Sequence, residues 1–570
     1  MKETLRLLLA DAIVDAIAAG ELRLDAAPEV EMERPRDPAH GDWATNVALK
    51  SAKAAGTSPR AVADIIAARV AGHPDVAGVE VAGPGFINLR LSAAALRRQV
   101  ALIREAGADW GRVDLGQGRR VQVEFVSANP VGPLHVGHGR WAALGDSMAA
   151  VLAHAGWQVE REFYVNDAGV QMDIFAKSVA ARYLELCGHE VTFEAEWYQG
   201  AYITEIAREI LQAEGDAWAD RDASAREDHF REVAYAQVLA HLRSVLHGMG
   251  VDFDVWFSER SLHAKDADGL DAVDRAIGSL RGAGWVYEQD GATWFASTRF
   301  SLYGDDKDRV LRKSDGELTY FASDIAYHAD KYARGFDRVI DIWGADHHGY
   351  VARMKAAVAA LGHPGQVDMV IGQLVTLLRD GEVVRMSKRT GEMVTFEELL
   401  DEVGADAARY FFLRRSTDQP LDFDIGLAKE QSSDNPVFYV QYAHARICSI
   451  LRKAAGLAAD AEIDAAASAA RLAPAGTPLE ALEDPAEFAL VRKLAEFPEI
   501  VESAAELLAP HKLPYYAEDL AGAFHQFYTV CRVVTDDTAL TAARIALVDA
   551  TRLTLERVLA LVGVSAPERM

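Results

Sequence analysis

Two histidines three positions apart, His135 and His138, are the residues whose types and spacing most directly suggest chemistry. They lie in "NPVGPLHVGHGRW", with Pro133 before them and Gly137 between them. If this stretch opens a helix, both imidazoles lie on one face of its first turn. A helix N-terminus also presents unpaired N–H groups and a partial positive charge. The stretch therefore predicts a site for a triphosphate carrying an adenine, with Gly137 leaving room for a flat ring against the backbone.

A pair of histidines at this spacing can also serve a purely structural purpose. The rings could pack in a core, or they could be half of a metal site. No cysteine lies nearby, and no carboxylate stands at a spacing that suggests zinc. The pair alone leaves these alternatives open.

A second polar stretch, "GEVVRMSKRTGEMVTFEELL", follows about 250 residues later. Lys388 lies in a short loop beside Ser387 and Arg389, before an acidic-capped helix. Clustered positive charge on a flexible loop suits a pyrophosphate leaving group. A solvated hairpin and loop is the alternative interpretation.

Length and composition limit what kind of protein carries these stretches. The 570 residues are 50% hydrophobic and 25% charged, which is ordinary globular composition. No stretch is apolar enough to span a bilayer, and the acidic start does not resemble a signal peptide. The 3 cysteines are far apart, which favours a reducing cytoplasm and no disulfide framework. The formal charge of −27 argues against a general nucleic-acid or DNA binder, but it allows a local basic patch.

The surrounding pattern predicts a multidomain α/β protein. Residues 1–108 indicate an N-terminal α+β module. Residues 109–434 indicate a Rossmann-like catalytic domain, because "RVQVEFV", the helix after it and "QVEREFYV" form a βαβ unit with a parallel sheet. Residues 185–300 are interpreted as a partly helical insertion, and residues 435–570 as an all-α bundle.

In this order and on this scaffold, the two stretches resemble the HIGH and KMSKS signatures of class I aminoacyl-tRNA synthetases, here "HVGH" and "RMSKR". The flanking segments resemble the arginyl-tRNA synthetase family in particular. These segments are "VEFVSANPVGPLHVGHGRWAALGDS", "FYVNDAGVQM", "DIWGADHHGY", "NPVFYVQYAHARICSILRK" and the C-terminal "FHQFYTVCRVVTDDTALTAARIALVDATRLTLERVLALVGVSAPERM". The resemblance covers essentially the whole chain.

The resemblance implies an ATP-dependent arginine–tRNA ligase. Such an enzyme joins L-arginine to tRNA(Arg), uses Mg²⁺ on the ATP phosphates, works as a monomer in the cytoplasm and activates arginine only with tRNA bound. His135, His138 and Lys388 are then the catalytic groups. The ATP site adds Pro133, Gly137, Met386 and Ser387 to those three residues. One departure is Arg385, where the KMSKS pattern has its first lysine; arginine keeps the charge but not the point-like ammonium geometry.

A site for arginine needs carboxylates that can face a desolvated guanidinium. Tyr320 and Asp324 are four apart on a predicted helix, which could equally be a solvated face. Glu124 lies in an apolar strand, where a carboxylate is costly unless it is paired. The resemblance assigns Tyr320 and Asp324 to the substrate side chain and Asn129 to its backbone, while Glu124 can reach the substrate ammonium or support the pocket. The predicted arginine site also includes Ser127, His138, His347 and His348, the last two in "GADHH" at a strand end, where ordinary loop polarity is the alternative.

Contacts to tRNA are expected from aromatic and basic residues of the C-terminal helices. Tyr439, Tyr442 and Arg446 could stack on unpaired anticodon bases, although the tyrosines could also pack in the core of the bundle. The resemblance adds Phe86 and Asn88, in "GPGFINLRL" of the N-terminal module, as contacts to the D-loop region.

Other functions remain open from the residues. A cysteine-specific synthetase would usually carry zinc-binding cysteines, which are missing. An inactive tRNA-binding protein is suggested by Arg385, but His135, His138 and Lys388 are intact. A small-molecule adenylating enzyme is suggested by the acidity, but it would not need the N-terminal module or the aromatic-basic helices.

Overall fold

The computed structural model describes residues 1–35, 37–384, 394–457 and 464–570. Its N-terminal unit packs helices against an antiparallel sheet in the strand order β1–β3–β2. Ser58 and Ser92 fix the starts of two of these helices, since each side chain accepts a hydrogen bond from a backbone N–H three residues later. The elements are α1 (Lys2–Ala18), β1 (Trp43–Thr45), α2 (Val47–Ala55), α3 (Pro59–Val70), β2 (Val76–Ala82), β3 (Phe86–Leu91) and α4 (Ala93–Ala106).

The central part begins with a βαβ unit followed by helices and one further strand. Its elements are β4 (Arg120–Glu124), α5 (Val136–His154), β5 (Gln158–Val165), α6 (Val170–Leu186), α7 (Ala201–Glu214), α8 (Ala223–Gly248) and β6 (Val255–Ser258). Apolar residues such as Val121 and Val123 are fully buried in β4, as expected for a strand covered on both faces. The strand β6 lies inside the range interpreted as an insertion, yet it pairs in parallel with β5.

The next segment adds a small antiparallel sheet and completes the central one. Its elements are α9 (Ala272–Gly282), β7 (Val286–Gln289), β8 (Ala292–Phe295), β9 (Arg309–Arg312), α10 (Tyr320–Ala333), β10 (Arg338–Gly344), α11 (Val351–Ala360) and β11 (Val367–Gly372). The central sheet has the order β11–β10–β4–β5–β6, and each neighbouring pair is parallel. The order reverses between β4 and β10, and ligands of such sheets bind at the carboxyl ends of the strands near that point.

The remaining elements form a small sheet and a helical bundle. They are β12 (Val375–Arg379), β13 (Glu382–Val383), α12 (Phe396–Val403), α13 (Ala405–Leu413), β14 (Leu421–Asp424), α14 (Ile425–Lys429), α15 (Pro436–Ala454), α16 (Ala465–Leu472), α17 (Pro485–Leu494), α18 (Phe497–Glu506), α19 (Lys512–Val530) and α20 (Thr538–Leu561). The long helix α20 packs against α15 and α19, and it also packs against α4 of the N-terminal unit. Arg104 of α4 donates to Asp549 of α20 at 2.9 Å.

The fold class expected from the sequence is confirmed: an N-terminal α+β unit, a central part with a parallel sheet and a C-terminal helical bundle. In the described ranges, no helix is both long and apolar enough to cross a membrane.

Candidate active site

The first turn of α5 is built around the two histidines. His135 is the N-cap residue, and its Nδ1 accepts from the backbone N–H of His138 at 3.4 Å. In return, Nδ1 of His138 accepts from the backbone N–H of His135 at 3.2 Å. The two rings are stacked with centroids 3.6 Å apart. The imidazoles thus cap the helix reciprocally and lie side by side at its positive end.

Two glycines allow this arrangement. A Cβ at Gly137 would lie 2.9 Å from the ring carbon Cε1 of His135. A Cβ at Gly139 would lie 2.3 Å from the ring of Phe396, the first residue of α12. The flat ring that Gly137 accommodates here is therefore the ring of His135, and Gly139 lets α12 approach α5.

Trp141 connects this turn to the edge of the central sheet. Its ring meets the His138 ring edge-on, with centroids 5.4 Å apart. A Cβ at Gly372, the last residue of β11, would lie 2.3 Å from Nε1 of Trp141. The signature turn is consequently held at the carboxyl ends of the strands, where the sequence placed it.

The second signature, with Arg385, Met386, Ser387 and Lys388, lies outside the described residues. The chain that follows it returns directly to the first signature. Thr395 forms a β-bridge with His135, and the backbone N–H of Phe396 donates to the carbonyl of Leu134 at 2.9 Å. Thr395 and Phe396 are thus fixed beside the first signature.

Arg140, which sequence reasoning missed, ties the signature helix to the same region. Its side chain is fully buried. The guanidinium donates to the carbonyls of Gln373, Ser416 and Gln419, each at 2.9 Å. Gln373 leads into β12, and the other two carbonyls lie just before β14. Burial lowers the pKa of Arg140 to about 10, so the group stays charged at neutral pH.

A pocket of carboxyl groups lies between α10 and the end of β6. Tyr350 donates to Asp324 at 2.5 Å, and burial raises the pKa of Asp324. Glu259 directly follows β6 and is 6% exposed. Burial and then the charge of Asp324 raise the pKa of Glu259 to about 7, while a hydrogen bond with Tyr164 acts in the other direction. Burial raises the proton affinity of both carboxyl groups, and a cationic ligand would stabilise their charged forms. The pair therefore favours a cationic ligand.

Glu124 ends β4 in a network of charges. Its Oε2 lies 2.6 Å from Nζ of Lys331, and its Oε1 accepts from the hydroxyl of Ser127 at 2.9 Å. The chain leaves the strand through Val126 at φ 68° and Ser127 at φ 41°. A β-branched residue in this left-handed region is strained, and such strain clusters at functional sites. The pairing that a carboxylate in an apolar strand requires is therefore present.

The other predicted site residues lie in the connections after the central strands or at the start of α10. Asn129 donates to Oε1 of Gln171 at 2.6 Å, and Pro133 lies in the loop that leads to α5. Tyr320 begins α10 and is 73% exposed. His347 and His348 are exposed in a 3₁₀ helix, Ala345–Tyr350, that follows β10. All of these residues lie beyond the carboxyl ends of the central strands or on α10.

The predicted tRNA contacts form two separate surfaces. On α15, Arg446 lies 4.7 Å above the ring of Tyr528 of α19 and donates to the hydroxyl of Tyr442 at 3.3 Å. Tyr442 is 41% exposed, whereas Tyr439 is half-buried with its ring 5.3 Å from that of His525. In the N-terminal unit, Phe86 is half-buried and Asn88 is buried on β3. The aromatic-basic surface on α15 and α19 is thus exposed in part, and Asn88 is much less so.

Arg140, Glu259 and Lys331 were missed from the sequence, as was Asp341, whose Oδ1 lies 2.7 Å from Nζ of Lys331. A signal existed for Asp341, because it is a carboxylate inside the apolar strand "RVIDIWG", as Glu124 is in its own strand. Lys331 lies two helical turns after Asp324, on the same face of α10. Glu259 gave no such signal, since its short strand lies in a largely helical region.

Comparisons with known proteins cover most of the chain. A family model described as "Arginyl tRNA synthetase N terminal domain" matches residues 3–91, "tRNA synthetases class I (R), catalytic domain" matches residues 102–419, and "DALR anticodon binding domain" matches residues 440–570. The chain is 48% identical to the arginine–tRNA ligase of Heliobacterium modesticaldum, with 100% of this chain and 99% of the relative covered. It is 49% identical to that of Moorella thermoacetica, with the same coverage.

Solved structures have the same fold. The arginyl-tRNA synthetase of Thermus thermophilus superimposes with a TM-score of 0.74 at 24% identity, over 100% of both chains. That of Plasmodium falciparum superimposes with a TM-score of 0.72 at 15% identity, over 100% of this chain and 99% of the other.

Proposed function

Because this chain belongs to the arginyl-tRNA synthetase family, we propose that it is an arginine–tRNA ligase that makes arginyl-adenylate from L-arginine and ATP and transfers arginine to the 3′ end of tRNA(Arg). The observation that carries the substrate choice is the pair of carboxyl groups with raised pKa values, the half-buried Asp324 and the buried Glu259. A guanidinium is planar, stays charged and offers several N–H donors, so it can pair with both carboxylates.

ATP binds at the first turn of α5 in this proposal. His135, His138 and the helix N-terminus stabilise negative charge on the phosphates, and Pro133 and Gly137 shape the turn beside them. Lys388, with Met386 and Ser387, reaches the leaving pyrophosphate from the second signature. Support comes from Thr395, which bridges to His135 and so ends that segment next to the first signature.

Arginine then binds across the strand ends. Asp324 and Glu259 face the guanidinium, with Tyr320, His347 and His348 around it. Glu124, Ser127, Asn129 and His138 hold the amino-acid backbone. The substrate carboxylate attacks the α-phosphate, the bond to the β-phosphate breaks, and pyrophosphate leaves with its electron pair. The protein positions the reactants and stabilises charge, so no covalent intermediate with a side chain is needed.

Mg²⁺ would be carried by the phosphates of ATP, since it binds few protein groups and favours phosphate oxygens. When bound, it would supply charge neutralisation on the leaving pyrophosphate. The protein's own share of that neutralisation falls to His135, His138 and Lys388.

The tRNA contacts both ends of the chain in this proposal. A ribose hydroxyl of the 3′-terminal nucleotide attacks the adenylate carbonyl, and AMP leaves. Tyr439, Tyr442 and Arg446 contact anticodon bases, supported by the exposed ring of Tyr442 and the guanidinium over Tyr528. Phe86 and Asn88 contact the D-loop region.

We also assign an N-terminal tRNA-binding domain to residues 1–108, a catalytic domain to residues 109–434 and an anticodon-binding domain to residues 435–570. The enzyme acts in the cytoplasm as a monomer. Sedimentation at micromolar concentration tests the oligomeric state, and a mass of about twice 62.0 kDa would contradict a monomer.

ATP–pyrophosphate exchange, measured with each amino acid with and without tRNA(Arg), tests the function. We expect exchange with arginine alone among the amino acids, and only when tRNA is present. Exchange without tRNA would contradict the inferred tRNA requirement. Exchange with another amino acid would reject arginine as the substrate, and no exchange under any condition would favour an inactive tRNA-binding protein.

A further inference from the structure

A row of carboxylates crosses the central sheet beneath the proposed arginine site. Glu124 of β4 pairs in register with Asp341 of β10 on one side and with Glu162 of β5 on the other. Side chains in register on neighbouring parallel strands point to the same face of the sheet. All three are buried. Three carboxylates this close repel one another unless cations hold them.

The helix α10 covers this carboxylate row with cations and donors. Nζ of Lys331 lies 2.6 Å from Oε2 of Glu124 and 2.7 Å from Oδ1 of Asp341, and its side chain is 0% exposed. One turn later, Arg334 lies 2.6 Å from Glu162. Glu162 also accepts from the hydroxyl of Tyr327 at 2.5 Å. Arg334 thus pairs with Glu162, whereas Lys331 pairs with Glu124 and Asp341. Of these carboxylates, Glu124 is the one that contacts the substrate in the proposed function.

The two oxygens of Glu124 are held by different donors. Lys331 contacts Oε2, and the hydroxyl of Ser127 donates to Oε1. Donors to both oxygens fix the plane of a carboxylate, and they thereby fix the directions in which its remaining lone pairs can accept hydrogen bonds. Glu124 is the last residue of β4, so that direction is set at the edge of the sheet where the substrate binds.

We propose that Lys331 is a positioning residue for arginine activation: it keeps Glu124 ionised and oriented so that Glu124 can hold the α-ammonium group of arginine. This inference rests on the proposed role of Glu124. The titratable groups facing Glu124 are Lys331 and Tyr327 from α10, Asp341 from β10, and Glu162 and Tyr164 from β5.

Removing the charge of Lys331 should change the protonation of Glu124, which a loss of packing alone would not do. Burial and the charges of Asp341 and Glu162 raise the pKa of Glu124, and Lys331 opposes them. Without Lys331 the pKa of the carboxyl group rises further, and its protonated form cannot hold an ammonium group. Raising the pH removes that proton, so the defect should shrink as the pH increases.

The test compares Lys331→Met with Lys331→Arg and with Arg334→Met, a matched control that removes a cation of the same helix from Glu162 instead. The KM for arginine is measured in aminoacylation of tRNA(Arg) between about pH 6.5 and 8.5. The parent protein measured over the same range corrects for deprotonation of the α-ammonium group, which begins near the top of that range. The second readout is the inhibition constant of 5-guanidinopentanoate, which is arginine without its α-amino group.

For Lys331→Met we expect the KM for arginine to rise at least about tenfold near pH 6.5 and much less near pH 8.5. The inhibition constant of 5-guanidinopentanoate should change by less than about twofold, since that molecule has no ammonium group for Glu124. Lys331→Arg should restore most of the affinity, and Arg334→Met should give a KM that does not depend on pH. An unchanged KM in Lys331→Met, or an equal loss of affinity for arginine and for the analogue, would overturn the inference.

Further variants separate this inference from the role of Glu124 itself. If Glu124→Gln raises the KM for arginine but Lys331→Met does not, the inference fails and the proposed contact of Glu124 stands. If Glu124→Gln leaves the KM unchanged, the proposed contact fails. Should Lys331→Met unfold, Ser127→Ala removes the other donor to Glu124, and a pH-dependent rise in KM supports the inference while an unchanged KM overturns it.

Discussion

At the scale of single residues, the proposed arginine site contains carboxyl groups whose pKa is raised by burial before any cation binds. Burial holds Glu259 at a pKa of about 7, and Asp324 is shifted in the same direction. A carboxyl group titrates near 4.3 in an unfolded chain. Between these values the folded protein binds more protons, so Glu259 makes folding less favourable as the pH rises from about 4.3 to 7. Bound arginine should offset this loss of stability, because its guanidinium supplies a positive charge beside the ionised Glu259.

Binding of arginine should therefore release protons below about pH 7, where Glu259 is protonated in the protein without arginine. Calorimetry at about pH 6, in two buffers with different ionisation enthalpies, measures this release. Glu259→Gln should abolish most of it and weaken arginine binding at least about tenfold, because a partner of the guanidinium is lost. Proton release that is the same in both proteins would exclude Glu259 from the pocket.

Sequence reasoning proposed some carboxylates of this site but not their partners. Glu124 stood out because a carboxylate in an apolar strand calls for a partner, whereas Asp324 was assigned by resemblance, since its spacing fits a solvated helix face equally well. The partners themselves, Lys331 for Glu124 and Glu259 beside Asp324, come from other elements. Which side chains meet across a sheet depends on strand register and helix placement, and these are long-range properties.

At the scale of secondary-structure elements, Arg140 holds α5, the helix of the first signature, to the chain just before β12 and β14. It lies two positions after His138 on α5, and its guanidinium holds the backbone carbonyls that precede β12 and β14. The hairpin of β12 and β13 leads into the segment that contains Lys388. A shift of about 1 Å between reacting groups can cost two orders of magnitude in rate.

Replacing Arg140 with glutamine should reduce the kcat of ATP–pyrophosphate exchange at least about tenfold and change the KM for arginine by less than about threefold, because the arginine pocket does not involve this residue. Arg338→Gln is the matched control: it removes an arginine that pairs with Asp368 at the far end of the sheet. Steady-state exchange kinetics measure both parameters. A kcat within twofold of the parent protein would argue against a catalytic effect of this anchoring of α5.

Elements with strong local patterns were predictable. Alternation and the glycine-rich loop indicated β4, α5 and β5, and the structure confirms all three. The strand β6 was not predicted, because it has only 4 residues and follows a helix of 26 residues. Its identity as a strand comes from pairing with β5, which a local pattern does not reveal.

At the scale of the whole molecule, the formal charge of −27 must be reconciled with a polyanionic substrate. Basic side chains concentrated on one surface would bind tRNA while the rest of the protein repels other nucleic acid. Arg446 is a candidate for this surface, since it lies beside the exposed ring of Tyr442 on α15.

Arg446→Gln should raise the KM for tRNA(Arg) about tenfold and leave the KM for arginine unchanged, because it removes a contact far from the catalytic site. If Arg446 neutralises a phosphate, the plot of log KM against log salt should lose about one unit of slope. Aminoacylation at several salt concentrations gives both values. Arg281→Gln, on the exposed surface of α9, is the control, and an equal effect there would exclude a specific contact.

The packing of α20 against α4 brings the last long helix of the chain onto its first hundred residues. Asp549 of α20 is shared between Arg104 of α4 and Arg552 of its own helix. These contacts hold the two terminal units against each other, although the catalytic part separates them in the sequence. An RNA that contacts both units must therefore match the fixed distance between its two contact sites as well as their base preferences.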